Sequence, residues 1–381
     1  MARSPRCGDA AGRPGALGEG RIRVSRETVQ SALRVHAGRF VGDGVHPVDL
    51  DTIIAGVRRW DEWFPAWAAI GDRYQRLADE ALQTGDTTTA GEWLWQASIS
   101  YHYAQFLFFH DPERRESGQR KKQELYDRAA PLLVPPARRF GVPLDEAVVP
   151  GFLRLPPGRG PFPLVVLLGG LESTKEESYH FENMLLKRGV ATCTFDGPGQ
   201  GEMWFQVRLR PDFERYTSAV LDWLEGQPEI DPGRVGILGR SLGGYYAIRS
   251  AALDPRIKAC VAWGPLYDMS SWDHMAVLTR LGFQYVSGQP SEAAAKAYLH
   301  AAVTLAGVAE RVRCPVYVLH GAKDDLIPLS HVERLDREIR HAPQKRIVIE
   351  PDGNHCCHNL YPIVRPRMAD WLARALVSPC C

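Results

Sequence analysis

The chain has 381 residues, of which 45% are hydrophobic and 24% are charged, and these proportions are typical of one large or two ordinary globular domains. Its 46 Lys and Arg residues nearly balance its 45 Asp and Glu residues, so no net field would attract nucleic acid or an anionic membrane. Because no apolar run approaches the roughly 18 to 20 residues of a membrane-spanning helix, we expect no nucleic-acid and no membrane partner.

Residues 1–23 contain arginines and glycines but lack the apolar segment of a secretory signal. We expect this segment to be a disordered extension. The eight cysteines show no spacing typical of a disulfide framework, and Cys193, Cys260 and Cys314 lie in or beside apolar, strand-like segments. Buried free thiols are therefore expected, and they favour a cytoplasmic location.

Residues 24–140 carry helical periodicity. Trp60, Trp63 and Trp67 lie on one stripe of a helix, which indicates packing rather than a cofactor site. Residues 91–110 have apolar side chains around the whole helix axis, and such a helix is buried on most sides. Prolines then interrupt the helical pattern. We predict an all-helical N-terminal domain over residues 24–140 that acts as a lid on a second domain.

In residues 141–381, short apolar runs alternate with helical stretches. The predicted strands comprise residues 147–154, 163–168, 190–195, 234–238, 257–263, 315–320 and 345–350. The predicted helices comprise residues 175–188, 211–227, 241–253, 329–341 and 358–376. This alternation predicts an α/β fold with a mainly parallel sheet covered by helices on both faces. Ligands bind beyond the carboxyl ends of the strands in such sheets, so the residues after each strand are the candidates for chemistry.

Ser241 follows one of these strands, within the sequence Gly239-Arg240-Ser241-Leu242-Gly243, and a helical pattern comes next. A G-x-S-x-G match arises easily by chance in a chain with 35 glycines. The strand, tight turn and helix around it are, however, the context of a nucleophile elbow. We predict that Ser241 is the nucleophile and that the N–H of Leu242, at a helix N-terminus, donates to an oxyanion.

Two further candidates follow later strands. Asp324 comes after "CPVYVL", where the fold places the carboxylate that orients a catalytic histidine. The adjacent Asp325 is the competitor, and the spacing from flanking turn residues favours Asp324. His355 comes after "RIVIE" as the candidate general base, whereas His358 falls in the following helix, where we expect a structural role. The chain order Ser, Asp, His is that of α/β-hydrolases.

The segment "FPLVVLL" is followed by Gly169, Gly170 and Leu171. Glycines allow backbone N–H groups to approach an oxyanion, and the N–H of Leu171 is the candidate second donor. The histidine that often precedes such a glycine pair is replaced by Leu168. Asp196, in the turn "DGPGQGE" after another strand, is expected to be structural.

The sequence His-Cys-Cys-His at residues 355–358 contains zinc-ligand types. A closed zinc site normally combines two separated ligand pairs, and no second pair with such spacing occurs in the sequence. We therefore predict no metal site at this segment.

With these motifs, the chain resembles the α/β-hydrolase superfamily over most of its second half. It is more closely similar to a smaller group, the 2,6-dihydroxypseudooxynicotine hydrolases of bacterial nicotine breakdown and the fungal hydrolases that shorten a heptaketide in pigment synthesis. The matching segments are "GGLESTKEE", "DGPGQGE", "GRSLGGYYAIR" and, in the helical half, "GDRYQRLADEAL".

The resemblance implies hydrolysis of a carbon–carbon bond next to a carbonyl group through an acyl-enzyme, without a cofactor. It assigns the triad to Ser241, Asp324 and His355, and an additional catalytic acid to Glu172 in "GGLEST". Carbon–carbon cleavage expels a carbanion, which a buried carboxyl group with a raised pKa is able to protonate. The alternative for Glu172 is a cap on the helix that starts near residues 173–175.

The segment between residues 266 and 286 is expected to help cover the site, with Trp272 and His274 facing the substrate or packing within the lid. The resemblance favours an aromatic or polyketide-type ketone as the small-molecule substrate, and a homodimer. The main alternative is a carboxylesterase, thioesterase, peptidase or acyl transferase that uses the same triad. A scaffold that binds without catalysis is the second alternative, and it is disfavoured because all three triad residue types are present.

Overall fold

The computed structural model describes residues 26–109 and 111–377, so the prediction for residues 1–23 lies outside the described part of the chain. The N-terminal part is helical: α1 (Arg26–Asp43), α2 (Pro47–Gly56), α3 (Trp60–Thr84), α4 (Thr87–Gln105) and α5 (Pro112–Ala129). The strands follow: β1 (Ala137–Leu144), β2 (Ala147–Arg154), β3 (Phe162–Leu168), β4 (Ala191–Phe195), β5 (Ile230–Arg240), β6 (Ile257–Trp263), β7 (Val316–Gly321) and β8 (Lys345–Glu350). Further helices lie between and after the strands: α6 (Tyr179–Leu186), α7 (Phe213–Glu225), α8 (Leu242–Leu253), α9 (Val277–Ser287), α10 (Glu292–Ala302), α11 (Ser330–Glu338) and α12 (Tyr361–Val377).

Across the described residues, the strands form one sheet in the order β1-β2-β4-β3-β5-β6-β7-β8. The β1–β2 and β2–β4 pairs are antiparallel. The remaining pairs, from β4–β3 to β7–β8, are parallel. The predicted fold class, a mainly parallel α/β sheet preceded by helices, is confirmed.

Strand β1 is the element that the sequence pattern did not predict. It contains Gly141 and Pro143, and the prolines of this region were interpreted as a connection between two domains. Because β1 is the outermost strand of the sheet, a proline is tolerated there. The predicted boundary between residues 140 and 141 falls inside this strand.

Helices cover both faces of the sheet because side chains of each inner strand alternate between the two faces. On one face, Ile237 of β5 packs in a core with Tyr246 of α8, and this core also includes residues of α7 and α11. On the other face, Val165 of β3 packs with Leu185 of α6 and Leu372 of α12. This arrangement leaves the loops after the strands free to form a site.

The N-terminal helices have an aromatic core of their own. The ring of Phe40 lies edge-on to Trp67 and Tyr103, with centroids 5.4 and 4.6 Å apart. Trp63 is fully buried and donates its indole N–H to the carbonyl oxygen of Tyr103 over 2.8 Å. Leu281 of α9 packs against the same core. The N-terminal helices and α9 therefore meet, and the site described below lies between them and the sheet.

None of the helices in the described residues combines the length and the apolar character that a bilayer-spanning helix needs.

Candidate active site

Ser241 lies in the sharp turn between β5 and α8. Its backbone φ is 58° and its ψ is −120°, a conformation that L residues rarely adopt. Its N–H donates to the carbonyl oxygen of Trp263 over 2.8 Å. A Cβ atom on Gly239 would lie 1.8 Å from the carbonyl oxygen of Gly243, and one on Gly243 would lie 2.4 Å from that of Leu168. The G-x-S-x-G spacing is thus a packing requirement of this elbow and not a chance match.

His355 and Asp324 complete a hydrogen-bonded chain with Ser241. The Nε2 atom of His355 lies 3.0 Å from the Oγ atom of Ser241, and its Nδ1 atom lies 2.8 Å from Oδ2 of Asp324. The other carboxylate oxygen of Asp324 accepts the N–H groups of Leu326 and Ile327 over 3.0 and 2.8 Å. These bonds fix the carboxylate, and the carboxylate orients the imidazole with Nε2 towards the serine, as in a Ser-His-Asp triad.

The charges of Asp324 and His355 stabilise each other. Burial raises the pKa of the Asp324 carboxyl, but the charge of His355 and its hydrogen bond outweigh burial and lower that pKa. Burial lowers the pKa of His355, but the Asp324 carboxylate outweighs burial and holds that pKa well above 6.5. The side chain of Asp325 is exposed. The structure therefore places Asp324, rather than Asp325, against the histidine.

The His-Cys-Cys-His segment forms a tight turn that directs His355 to the site. Cys356 and Cys357 both adopt left-handed backbone conformations, with φ of 54° and 49°. The Sγ atom of Cys356 lies 3.5 Å from the carbonyl oxygen of Trp263. His358 is buried beside the ring of Trp263, with centroids 5.7 Å apart, and burial lowers its pKa well below 6.5. These contacts give His358 the structural role expected for it.

Three carboxylates after β3 and β4 have the spacing of a cation site. Oxygen atoms of Glu176, Asp196 and Glu202 lie within 4.8 Å of one another. The Nζ atom of Lys175 lies 2.6, 2.9 and 2.5 Å from these three groups, respectively. Burial lowers the pKa of Lys175, but the carboxylates outweigh burial and raise it, so the ammonium stays charged. An internal cation therefore occupies this cluster, and Asp196 has a structural role.

The loop after β3 passes beside Ser241. A Cβ atom on Gly170 would lie 3.2 Å from the Cβ of Ser241, so this loop passes directly beside the serine. The side-chain amide of Gln200 donates to the carbonyl oxygens of Gly169 and Gly170 over 2.7 and 3.0 Å, which holds the loop in place. The sequence pattern gave no signal for Gln200, although this residue lies in the "DGPGQGE" turn. Leu171 follows this pair of glycines, where a donor to an oxyanion is expected.

Helix α8 supplies the other expected donor. Leu242 is its first residue, so the N–H of Leu242 is one of the first-turn groups that have no partner within a helix. It directly follows Ser241, at the positive end of the helix dipole. Both N–H groups proposed from the sequence therefore lie on backbone segments that contact the serine.

Glu172 is half-buried in the loop after β3, close to Arg39 and Arg115 of the N-terminal helices. Burial raises the pKa of its carboxyl group, and the nearby charges of Arg39, Arg115 and His355 oppose this increase only in part. The N-cap position of the short helix that follows is occupied by Thr174. Glu172 is thus not the cap of that helix, and the structure contradicts the capping alternative.

Two cavities meet at Leu171, in the loop after β3. One, here called the polar cavity, has a volume of about 330 Å³ and is lined by Glu172. The other, here called the apolar cavity, has a volume of about 290 Å³ and is lined by Ser241. Leu171 lines both of them. Further side chains around the polar cavity include Gln105, Arg115, Gln119, Gln200, Trp204 and Tyr285. Those around the apolar cavity include Leu242, Leu266, Met275, Phe283, Leu326 and Ile327.

The two pocket residues expected from the segment after β6 require correction. Trp272 is 1% exposed and packs against Phe283, with ring centroids 6.0 Å apart, so it supports the wall of the apolar cavity from behind. His274 has an exposed side chain in a short turn. Met275 and Thr279 of the same segment line the cavity instead. The sequence identified the segment that lines the cavity. Which of its residues face the cavity depends on a turn that periodicity does not reveal.

A buried ion network joins the nucleophile elbow to the N-terminal helices. Arg240, next to Ser241, bonds Asp43 of α1 over 3.1 Å and also bonds Glu177. Arg365 bonds Asp43 over 2.6 Å, and Arg39 bonds Glu177 over 2.9 Å. Burial raises the pKa of both carboxyl groups, but the guanidinium groups outweigh burial and lower them. These residues escaped sequence reasoning because charges on amphipathic segments are normally exposed.

Comparisons with known proteins agree with this geometry. A model of the FrsA-like esterase family matches residues 42–311. The chain is 45% identical over 346 residues, 90% of this chain and 92% of the relative, to 2,6-dihydropseudooxynicotine hydrolase of Paenarthrobacter nicotinovorans. It is 38% identical over 234 residues to hydrolase acrC of Aspergillus aculeatus, covering 55% of this chain and 54% of that relative.

A solved structure supports the same relationship over nearly the whole fold. The crystal structure of 2,6-dihydroxy-pseudo-oxynicotine hydrolase superposes with a TM-score of 0.84 at 43% sequence identity. It covers 90% of this chain and 96% of that one. With the α/β-hydrolase sheet and the elbow already described, these matches show that the chain is a hydrolase that belongs to the FrsA-like esterase family.

Proposed function

We propose that this hydrolase cleaves a carbon–carbon bond next to a carbonyl group, using Ser241 as nucleophile and an acyl-enzyme intermediate. The substrates we propose are acyl-phenols, 1,3-diketones or polyketide-type ketones. The observation that carries the proposal is the Glu172 carboxyl group, half-buried and with a raised pKa, near the His355 of a Ser-His-Asp arrangement. An ester hydrolase has no need for a second proton donor, whereas carbon–carbon cleavage requires one.

The first step is attack of the Ser241 Oγ atom on the ketone carbon. His355 accepts the hydroxyl proton through Nε2, and Asp324 stabilises the imidazolium that forms. The carbonyl oxygen becomes an oxyanion, to which the N–H groups of Leu171 and Leu242 donate. The strained elbow fixes the serine for this attack, because its conformation is held by packing and not by the substrate.

The second step breaks the carbon–carbon bond. As the oxyanion collapses to an ester on Ser241, the bonding pair leaves with the ring or enolate carbon. The Glu172 carboxyl group protonates that carbon and becomes a carboxylate. Burial keeps the pKa of this carboxyl group raised, which favours the protonated form that the step consumes.

The last step hydrolyses the acyl-enzyme. The proton on His355 passes to the Glu172 carboxylate through water in the polar cavity, which restores both groups. Neutral His355 then removes a proton from water, hydroxide adds to the ester, and the same proton returns to Oγ as the acid leaves. The balance is one ketone and one water converted to one carboxylic acid and one protonated leaving group.

Isotope labelling tests this sequence of steps. The full chain would be incubated with 2,4,6-trihydroxybutyrophenone in H₂¹⁸O, and the products separated by mass spectrometry. We expect 1,3,5-trihydroxybenzene and butyrate that carries one ¹⁸O atom, with no release by the Ser241→Ala variant. Release of 4-nitrophenol from 4-nitrophenyl butyrate without any ketone cleavage would overturn the proposal in favour of an esterase.

Ester hydrolysis is the second candidate function. It is supported by the family description and by the fact that the triad alone suffices for it. The two candidates differ at Glu172, which ester hydrolysis leaves without a role.

A further inference from the structure

The polar cavity contains buried hydrogen-bond donors that lack partners. Gln105 at the end of α4 and Gln119 in α5 are 2% and 5% exposed. The Nε2 atoms of both side chains have no hydrogen-bond partner within the described structure. Buried amide groups are normally paired, and an unpaired one is costly. Two such groups in the lining of one cavity indicate that a ligand supplies the missing acceptors.

Arg115 adds a charge to the same wall. It is 6% exposed, and its guanidinium donates to the backbone carbonyl oxygen of Gln105. Its flat face lies over the rings of Phe109 and Tyr285, 4.4 and 4.9 Å from their centroids. The guanidinium also hydrogen-bonds the side chain of Tyr285, and it lines the polar cavity, so this wall carries a fixed positive charge.

The wall next to these donors is aromatic. Trp204 and Tyr285, which both line the polar cavity, stack at 4.5 Å with an angle of 3° between the ring planes. Arg208 lies over Trp204 at 3.7 Å and Arg115 over Tyr285 at 4.9 Å, so the ring faces are covered and the pair presents its edges to the cavity. The apolar cavity differs, since its lining consists mainly of aliphatic and aromatic side chains around Ser241.

We propose that the polar cavity binds the leaving half of the substrate through at least two of its oxygen acceptors. Gln105, Gln119 and Arg115 donate to those oxygens, while the apolar cavity takes an uncharged acyl half. The assignment of halves rests on the proposed function, because Glu172 lines the polar cavity and would protonate the leaving carbon there. The ligand class is therefore a polyhydroxylated aromatic ring or the enol of a cyclic 1,3-dicarbonyl.

The chemistry of the leaving group explains why donors belong there. When the carbon–carbon bond breaks, the electron pair is delocalised onto oxygens conjugated with the leaving carbon, as a phenolate or enolate. Hydrogen bonds to a charged acceptor are stronger than those to a neutral one. Donors that face these oxygens therefore bind the transition state of bond cleavage more strongly than the ground state, and this raises the rate of that step.

Binding of the leaving ring alone tests the proposal without any turnover. The probe is 1,3,5-trihydroxybenzene, titrated calorimetrically into the full chain. Gln119→Leu removes one donor, and we expect its Kd for the probe to be at least about tenfold higher than that of the unmodified chain. The matched control is Gln123→Leu, one turn further along α5, whose Nε2 atom is also buried and unpaired but does not line the polar cavity. Its Kd should change less than twofold.

Two results would overturn the proposal: an unchanged Kd in Gln119→Leu, or equal weakening in Gln123→Leu. Circular dichroism melting of each variant checks folding. If Gln119→Leu does not fold, the affinities of two ligands for the unmodified chain are compared instead. The proposal requires 1,3,5-trifluorobenzene to bind at least tenfold more weakly than 1,3,5-trihydroxybenzene. The binding result is independent of the reaction, so ring binding without ketone cleavage would refute the proposed function and leave this binding site intact.

Discussion

Replacing Glu172 by Gln separates carbon–carbon cleavage from ester cleavage. The amide has nearly the same shape as the protonated carboxyl group, and both are uncharged, so the substitution leaves the buried surroundings of Arg39 and Arg115 without a new charge. What it removes is the acidic proton. We therefore expect the variant to fold normally and to hydrolyse 4-nitrophenyl butyrate within about threefold of the unmodified rate, because 4-nitrophenolate leaves without being protonated.

Ketone cleavage by Glu172→Gln should fall much further. Positioned general acids contribute about 10²- to 10⁴-fold to a rate, which corresponds to roughly 3 to 5 kcal/mol of activation free energy. The upper part of this range applies here, since the carbanion is a poor leaving group and burial has already raised the pKa of the acid. The measurement is kcat for 2,4,6-trihydroxybutyrophenone, followed through the release of 1,3,5-trihydroxybenzene.

The control is Glu116→Gln, because Glu116 lines the same cavity and is half-buried like Glu172, but it lies in α5 and not in the loop beside Ser241. It should change ketone cleavage by less than about threefold. Equal loss of ester and ketone activity in Glu172→Gln would show that Glu172 positions the loop, and full retention of both would show that it has no part in the reaction. Either outcome would refute the acid role.

Asp324→Asn should lower kcat for esters by roughly 10⁴-fold, whereas Asp325→Asn, on the exposed neighbour, should change it less than twofold in the same steady-state assay. Ketone cleavage needs neutral His355 and protonated Glu172 together, so kcat/KM should be bell-shaped against pH. Ester hydrolysis needs only the neutral imidazole; its rate is lost as pH falls through the raised pKa of His355, and it should rise above pH 6.5 to a plateau. Identical pH profiles would contradict the two separate roles. Arg240→Met leaves Asp43 and Glu177 without a guanidinium group that they share, which should lower the unfolding free energy by about 3 to 5 kcal/mol. Urea titration measures this loss, and a loss below about 1 kcal/mol would mean that these ion pairs behave as if they were exposed.

Much of the catalytic half was predictable because its signals are local. Each predicted strand was found within a few residues, and the side chains expected to follow strands are those that lie within hydrogen-bond distance of one another. Local signals sufficed for Ser241, since the glycines on either side are required by contacts inside the same turn. The prediction of Asp324 over Asp325 depended on turn spacing alone, and the geometry agrees with it.

The parts that sequence reasoning missed depend on distant partners. Gln105 and Gln119 have the polar character of exposed helix positions, and nothing within their own helices shows that both line one cavity. Arg240 was equally ambiguous, because a charged residue in a turn is usually solvated. Its two acidic partners, Asp43 and Glu177, lie in the two different domains that the sequence pattern predicted. Strand β1 was missed since proline and glycine are common in connections, and only its outermost place in the sheet makes them acceptable.

The ion pairs around Asp43 also constrain the order in which the chain acquires its final form. Asp43 is 197 residues from Arg240 and 322 residues from Arg365 in the sequence. During synthesis, α1 leaves the ribosome long before α12, and its carboxylate has to stay hydrated until these guanidinium groups arrive, because burying it alone is costly. The N-terminal helices therefore reach their final packing only when the last helix has been made.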